Sequence, residues 1–559
     1  MKKVLKNIFS KKNSWILIIV LLSVPASLPL LHSGFYHFSD EPHIANLQQM
    51  IQAFISGQLP PRWAPDMSWR FGYPLFNFYY PLPYYIGSLF YLFNHSLVSS
   101  LKLVFLLTIP FSGITMYLWL KNHTSVLGAL VGAVIYIYTP YRALDLYIRG
   151  AVGECLAFVF VPLVAFYVDK VISEKSHKFI AFLAITIGLF FVSHNLAPLI
   201  FIPWLFIYGL AIIVSQKNFF ALPRLVLGFI LGFLISSYWT IPAFLEKGHL
   251  LTQTPFNYID HFPFIKQLIY SPWRYGASLP GPNDDLSFQI GFVNIFIIVY
   301  IIYLLFRKKV EGSQRLILIY TLCSLFFVLF LMNIRSDFLW RIFPLSTYVQ
   351  FPWRFLMVTT FITSAMTMVI KNRKLLIAFA LLGIFFNVNY FRPSGYFYPN
   401  DEYYLNRMLP YYKYKNGGFT SSTEYNNYSE DYLLLPKWVK VRPSNEPTGF
   451  FTTSSSNLDI ILAKKNSNIN YYADLTGSGL LEFNKYYFSG WYADVNGKPV
   501  ELKILEPYGN IGIDIQGEFS SINIYWKETP LRLTTDVISV LSILIAAGLI
   551  FDIKKRYSS

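Results

Sequence analysis

Apolar runs of about 17–25 residues, the length a helix needs to cross the hydrocarbon core of a bilayer, recur through most of this chain. Inside lipid every backbone N–H and C=O must be satisfied by the chain itself, and a helix does this within one segment. The chain therefore reads as a polytopic α-helical membrane protein. Its composition agrees: 54% of the 559 residues are hydrophobic, 19% aromatic and only 14% charged, with a mean hydropathy of +0.42, outside the range of soluble domains. About twelve spans are expected, near 15–31, 101–120, 126–140, 154–171, 179–194, 197–214, 224–243, 289–306, 315–333, 354–370, 374–390 and 533–551.

The net charge of +16 does not point to nucleic acid, because Lys and Arg gather in short loops between apolar runs. Lys2, Lys3, Lys6, Lys11 and Lys12 precede the first span. Lys121, then Lys170, Lys175 and Lys178, then Lys217 and Arg224 follow the second, fourth and sixth. Arg307, Lys308, Lys309 and Arg315, then Lys371, Arg373 and Lys374, then Lys554, Lys555 and Arg556 follow the eighth, tenth and twelfth. With this parity all of them fall on one side, which is then cytoplasmic. Both termini are expected there, in a multi-pass protein of the plasma membrane. The first span reads as a retained signal-anchor. Cys155 and Cys323, the only cysteines, fall in spans and give neither a disulfide framework nor a zinc motif.

Leu75 to Phe93 is apolar enough to cross, and crossing would invert every later loop. It contains Pro81 and Pro83, with Pro74 just before, and Tyr79, Tyr80, Tyr84, Tyr85 and Tyr91. Tyr favours the interface and Pro breaks a spanning helix, so this stretch is expected to be interfacial or re-entrant on the outer side. The division that follows is a multi-span domain, 1–390, with outer loops 32–100, 141–153, 244–288 and 334–353; an extracytoplasmic segment, 391–532; and a last span with a basic tail, 533–559. Gly417 to Asn427 reads as a loop. From about 447, period-two alternation in Leu458–Leu462, Tyr471–Leu475, Leu480–Phe483, Ile511–Ile515 and Ile522–Trp526 indicates antiparallel strands of a β-sandwich. Asn496-Gly497 marks a type I′ hairpin turn. Trp491 and Tyr492 are expected to be exposed there, on a domain that is a binding surface for glycan or acceptor, or equally only a lid or spacer.

A chain with so little charge has few places for polar chemistry. The first outer loop holds Ser39-Asp40-Glu41-Pro42-His43, followed by Pro-, Trp- and Arg-rich sequence: Gln58-Leu-Pro-Pro-Arg-Trp63 and Trp69-Arg70-Phe-Gly-Tyr-Pro74. Asp40 and Glu41 are candidates for a catalytic base or a metal ligand, since an alcohol attacks poorly until a carboxylate polarises its proton. Ser39 or Asp40 can equally cap a helix, with Pro42 in its first turn. His43 is a site-lining residue, by hydrogen bond or by ligation. On the same face, Tyr141-Arg142-Ala-Leu-Asp145-Leu-Tyr-Ile-Arg149-Gly150-Ala-Val-Gly-Glu154 joins two spans. Arg142 and Arg149 suit a phosphate, or else an internal Arg–Glu pair with Glu154, which lies where a helix enters the membrane. Asp145 and His194 are further site-lining candidates. Loop 244–288, with Glu246, His249, Asp260, His261, Lys266, Arg274, Asp284 and Asp285, is placed to cover a substrate. Phe351-Pro-Trp-Arg354 opens a span on the outer face, and Arg354 is a phosphate ligand or a helix anchor. No Gly-rich nucleotide loop, nucleophile elbow or His-Glu-x-x-His occurs.

A first span, an outer loop with the acid pair Asp40-Glu41 and a membrane-surface stretch resemble the GT-C superfamily of integral membrane glycosyltransferases. Arg149-Gly150…Glu154, Ser193-His194, Phe351-Pro-Trp-Arg354 and Asp431-Tyr-Leu-Leu-Leu-Pro436 more closely resemble a family of bacterial membrane proteins described as related to 6-pyruvoyl-tetrahydropterin synthase. Tyr487-Phe-Ser-Gly490-Trp491-Tyr-Ala-Asp-Val-Asn-Gly497 resembles the C-terminal strand motif of YfhO-type membrane proteins. The chain has no histidine cluster of the kind a pterin-synthase zinc site needs. The resemblance implies transfer of a hexosyl or pentosyl unit from a polyprenyl-phosphate donor, on the extracytoplasmic face, to an envelope glycan, lipid or protein. It implies Asp40 as the base, and a carrier phosphate near Arg142, Arg149 or Arg354. A divalent metal ion is a candidate cofactor, although no Asp-x-Asp or Asp-x-Glu pair stands in the second outer loop. A non-catalytic scaffold of the same shape, and a transporter or flippase of lipid-linked sugars, are the competing readings. No inverted repeat of the transporter kind is visible.

Overall fold

A computed structural model describes residues 14–251, 257–343, 345–409 and 434–556. The basic N-terminal tail, the Gly417–Asn427 loop and residues 431–433 of the Asp-Tyr-Leu-Leu-Leu-Pro motif lie outside the described residues.

The chain opens with α1 (Ser14–Leu31), and the first outer loop carries α2 (His43–Ile55), α3 (Leu75–Phe78) and α4 (Leu82–Asn94). A helical bundle follows: α5 (Leu97–Leu120), α6 (Val126–Tyr138), α7 (Pro140–Leu144) running into a π-turn at Asp145–Arg149, α8 (Val152–Ser173), α9 (Lys178–Phe191), α10 (Ala197–Gln216), α11 (Leu222–Ile235) and α12 (Ser237–Leu245). After a short α13 (Ile265–Ile269) come α14 (Phe292–Phe306), α15 (Gly312–Leu331), α16 (Asp337–Ile342), α17 (Ser346–Val349), α18 (Leu356–Ala365), α19 (Arg373–Asn387) and α20 (Asp401–Met408). A last helix, α21 (Pro530–Arg556), packs against α9, α11 and α12.

Among the described residues six helices have the length and apolarity to cross a bilayer: α5, α8, α10, α15, α19 with the 3-10 turn that extends it to Tyr390, and α21. Two bent pairs would each add a broken span. One is α6 with α7 and the π-turn, bent by 44°; the other joins Phe219–Ile235 to α12, bent by 71°. α1, α9 and α14 are apolar but shorter. The expected span at 354–370 is different in kind. Its helical core, α18, has only ten residues, all of them buried, between 3-10 turns at Pro352–Phe355 and Met366–Val369. Thr359, Thr360, Thr363 and Ser364 satisfy their hydroxyls on carbonyls one turn back. Such a segment packs inside protein rather than against lipid, and the apolar average of the sequence hides that difference. Leu75–Phe93 is broken into α3 and α4 around Tyr79–Pro81, and neither piece reaches the length of a span.

Among the described residues between α20 and α21, nine strands form two antiparallel sheets. They are β1 (Phe451–Thr453), β2 (Leu458–Ser467), β3 (Asn470–Gly477), β4 (Gly479–Tyr486), β5 (Trp491–Val495), β6 (Lys498–Val500), β7 (Lys503–Leu505), β8 (Asn510–Ile515) and β9 (Phe519–Trp526). The orders are β1-β4-β8-β7 and β2-β3-β9-β5-β6. Alternation is visible in β9, where Ser520, Ile522, Ile524 and Trp526 are buried and their neighbours are not. The β5–β6 turn has φ +50° at Asn496 and +77° at Gly497, the positive values a type I′ turn demands.

The sandwich is docked on the first outer loop through aromatic rings. Trp63, fully buried, lies 5.3 Å from Trp491 and 5.0 Å from Trp526 between ring centroids. Phe71 stacks on Tyr486 at 5.1 Å. Trp491 is thus 4% exposed, not the open glycan platform its sequence context suggested. The Pro- and Trp-rich loop supplies its cover. Tyr492, stacked on Tyr525 at 6.1 Å, keeps its exposure. Arg62 ties the loop to α21, donating to Asp536 at 2.8 Å.

Candidate functional site

Asp40 is held by backbone pairing. The N–H groups of Ser39 and Asp40 donate to the carbonyls of Ile148 and Arg149 at 2.9 and 2.8 Å. This zips the first loop to the π-turn at Asp145–Arg149. Gly150 ends that turn at φ +69°, and a Cβ there would meet the Phe38 ring at 2.0 Å. Both the positive φ and the close approach require glycine.

The π-turn places Arg149 over Asp145, with which it pairs, and 2.8 Å from Glu154 at the start of α8. Tyr141 donates to the other oxygen of Glu154 at 2.7 Å. The Arg149 guanidinium lies 5.0 Å from the ring of Trp353. Burying three charges is tolerable only with such mutual pairing. The turn Pro352–Phe355 that supplies Trp353 also supplies Arg354. This arginine donates weakly to the Val349 carbonyl at 3.4 Å, and its Nε has no partner among the described residues. It forms no ion pair among the described residues.

Arg149, Arg354 and Glu154 are the charged groups that act on Asp40. The Asp40 side chain is 30% exposed, so the centre is open on this side. Burial raises its pKa above the ordinary aspartate value, with Arg149 and Arg354 pulling the other way. His43 begins α2, 1% exposed, with its Nε2 4.0 Å from Asp40 Oδ2. Burial pushes its pKa down to about 3, with His194 and Arg149 adding to the effect, so it is neutral. His194 follows α9. Its Nδ1 accepts from the Ala197 N–H at 3.0 Å, its ring lies 5.3 Å from that of Tyr80, and Glu154 is its electrostatic neighbour.

The structure therefore gathers Asp40, His43, Arg149, Glu154, His194 and Arg354, with Asp145 pinned beneath Arg149. Two candidates go elsewhere. Glu41 accepts from His37 of its own loop at 2.8 Å and pairs with Arg407 of α20 at 2.5 Å, so both its oxygens are engaged and one of them ties α20 to the loop. Arg142 turns into the bundle, donating to Ser112 at 3.1 Å with its guanidinium 4.2 Å from the Phe158 ring. It is not among the charges acting on Asp40. In loop 244–288, Glu246 is paired with Arg532 at 3.0 Å and Asp284 accepts from Gln267 at 2.7 Å. Trp353, Tyr141 and Tyr84 join the centre without having been singled out for it. Trp353 stood inside a quoted motif, and Tyr84 stood in the tyrosine-rich stretch read as interfacial.

Among the described residues no three His, Cys, Asp or Glu side chains are grouped to hold a metal ion.

A family model described as a 6-pyruvoyl-tetrahydropterin synthase related domain of membrane proteins matches residues 76–397, more than half of the chain. An uncharacterized protein of Lactococcus lactis subsp. cremoris is 28% identical over 219 residues, covering 38% of this chain and 35% of its own. The chain thus matches about a third of that relative's length. Two solved structures are similar at 14% identity and a TM-score of 0.44. One is the arabinofuranosyltransferase AftD from mycobacteria, with 69% of this chain and 27% of that one covered. The other is the Archaeoglobus fulgidus oligosaccharyltransferase in its apo form, with 79% and 61% covered.

Proposed function

The chain belongs to the 6-pyruvoyl-tetrahydropterin synthase related family of membrane proteins, and we propose that it is a membrane glycosyltransferase acting on the extracytoplasmic face. The donor is a polyprenyl-phosphate sugar, hexosyl or pentosyl, and the acceptor an envelope glycan, lipid or protein. In this reading both termini are cytoplasmic, the β-sandwich is outside, and the protein is multi-pass in the plasma membrane. The observation that carries it is a half-open carboxylate, Asp40, within the electrostatic reach of Arg354, an arginine in no ion pair among the described residues, in one polar centre of an otherwise apolar bundle. Ionisable groups at such a depth are costly unless they serve a function.

The roles follow from the chemistry. Asp40 takes the acceptor's proton as its oxygen bonds to the anomeric carbon. The bond from that carbon to the carrier phosphate breaks, and the phosphate leaves with the electron pair. Arg354 stabilises the charge that develops there, with Arg149 adding its field. A lipid donor brings its phosphate to interfacial depth, where a bundle-end arginine can meet it. Glu41 serves as an anchor of the loop through Arg407.

One observation favours a scaffold instead: Arg149 is neutralised by Asp145 and Glu154, which alone would be a structural knot. Purified full-length protein in nanodiscs, incubated with a panel of polyprenyl-phosphate sugars and an envelope extract, separates the two. Loss of at least one donor, followed by mass spectrometry, is expected. A folded protein that consumes none is a scaffold or a transporter.

A further inference from the structure

From Phe326 to Ile342 every fourth residue is a large apolar side chain on the surface: Phe326, Phe330, Ile334, Phe338 and Ile342. The first two lie on α15, Ile334 on the 3-10 turn that follows it, and the last two on α16. The stripe therefore survives the break between the two helices. Beyond α15, Ile334, Phe338, Ile342 and Phe343 are each between 50 and 65% exposed. An apolar patch of this kind marks a contact surface.

Its depth is fixed by the end of α15. The apolar stretch Gln314–Leu331 has 18 residues, about 27 Å of helix against a hydrocarbon core of about 30 Å. Leu331 therefore stands at the rim of that core. α16 is folded back onto this rim and not raised above it. Trp340 Nε1 and Ser336 Oγ both donate to the Leu331 carbonyl, at 3.0 and 3.2 Å, and the Phe338 ring lies 6.3 Å from that of Phe330. The inner face of α16 is already taken. Trp340 is buried, stacked on Tyr258 at 5.3 Å with Phe355 at 6.1 Å. Phe355 belongs to the turn that carries Arg354, so this is the end of the bundle that holds Asp40. Between Leu331 and Gln350 the one acid, Asp337, stands against Arg335 and Arg341. Asp337 accepts from Tyr258 on one oxygen and from Arg341 on the other, both at 2.6 Å, while Arg335 is exposed.

We propose that Ile334–Phe343 is a wedge seated in the headgroup–acyl boundary of a phospholipid bilayer, on the side of the Asp40 centre. Ile334, Phe338, Ile342 and Phe343 enter the acyl chains. Arg335 extends to the lipid phosphates, as a long basic side chain does at an interface. Two observations choose lipid over a second copy of the chain or a segment of its own. The stripe continues the exposed side of a spanning helix without a gap, and its surplus charge is positive, matching phosphate. The inference needs α15 to span and is independent of sugar transfer. Trp340 couples the wedge to the turn of Arg354, which is thereby held beside the same rim.

The test uses full-length protein in nanodiscs of phosphatidylcholine and phosphatidylglycerol, with Cys323→Ala to remove the exposed native thiol and Cys155 left buried. A nitroxide is attached to Phe338→Cys or to Ile342→Cys. Wild type labelled at its own Cys323, within α15, is the deep lipid reference, and Lys498→Cys, exposed on the β-sandwich, is the water reference. Either wedge label reads the site should the other variant fail to fold. Power-saturation EPR compares collisions with oxygen, which concentrates in lipid, and with a water-soluble nickel chelate. The expected result is an oxygen excess at both wedge positions, about 5–10 Å below the phosphates and shallower than Cys323. A nickel excess like that at Lys498 means a solvated loop and overturns the proposal. Protection from both reagents means cover by protein, from a second copy or from this chain, and overturns it as well.

Discussion

Replacing Lys485 by methionine should remove a pH dependence from the docking of the β-sandwich. Lys485 is 3% exposed, and its ammonium donates to the carbonyls of Pro65, at 3.0 Å, and Arg70 in the first outer loop. Burial lowers its pKa from the ordinary 10.5 to about 7, with Asp66 opposing the shift. Between those two values the unfolded chain holds a proton that the folded chain does not, so folding stability rises with pH across the window from about 7 to 10.5. Below pH 7 both states carry the proton and the slope vanishes. A full shift of this size corresponds to at most about 5 kcal/mol over the window, or about 1.4 kcal/mol per pH unit inside it. The assay is denaturant unfolding in detergent, followed by tryptophan fluorescence, which reports on Trp63, Trp491 and Trp526. From pH 7 to 9 the wild type should gain about 2–3 kcal/mol relative to Lys485→Met. Parallel pH slopes in the two proteins would refute the assignment of a buried, neutralising lysine.

Glu41→Gln should destabilise by about 3 kcal/mol, because the Arg407 charge is left in a contact where the two side chains are 8% and 11% exposed. A double-mutant cycle with Arg407→Met, read by thermal unfolding, should return much of that loss. If donor consumption is observed, its rate should fall on acidification through a pKa above the ordinary aspartate value of 3.8, because only ionised Asp40 accepts a proton. A pH–rate profile checks this, and an acid limb at or below 3.8 would remove burial as the controlling influence on Asp40.

The sequence carried local information well and remote information poorly. Long apolar runs announced helices such as α5, α8 and α10, because hydropathy over a window is a local property. The Asn496-Gly497 turn was legible because its geometry is fixed by two residues. Asp40, Arg149 and Glu154 were legible as rare polar groups in an apolar chain. What lay out of reach was set by partners far along the chain. Glu41 is answered by Arg407, 366 residues away, and Trp491 is covered by Trp63. The π-turn at Asp145–Arg149 separates Arg142 from Arg149, although a simple reading put both on one anion. In α18 an apolar average concealed a short, hydroxyl-rich segment that lies inside protein.

The central claim is that Asp40 serves as a base beside an anion-binding arginine. The most direct measurement is single-turnover consumption of a polyprenyl-phosphate sugar by wild type and by Asp40→Asn, both shown to be folded by matching thermal unfolding. The account predicts donor loss with wild type and a fall of about 100-fold or more with Asp40→Asn. Equal rates in the two proteins would contradict it and remove Asp40 from the reaction.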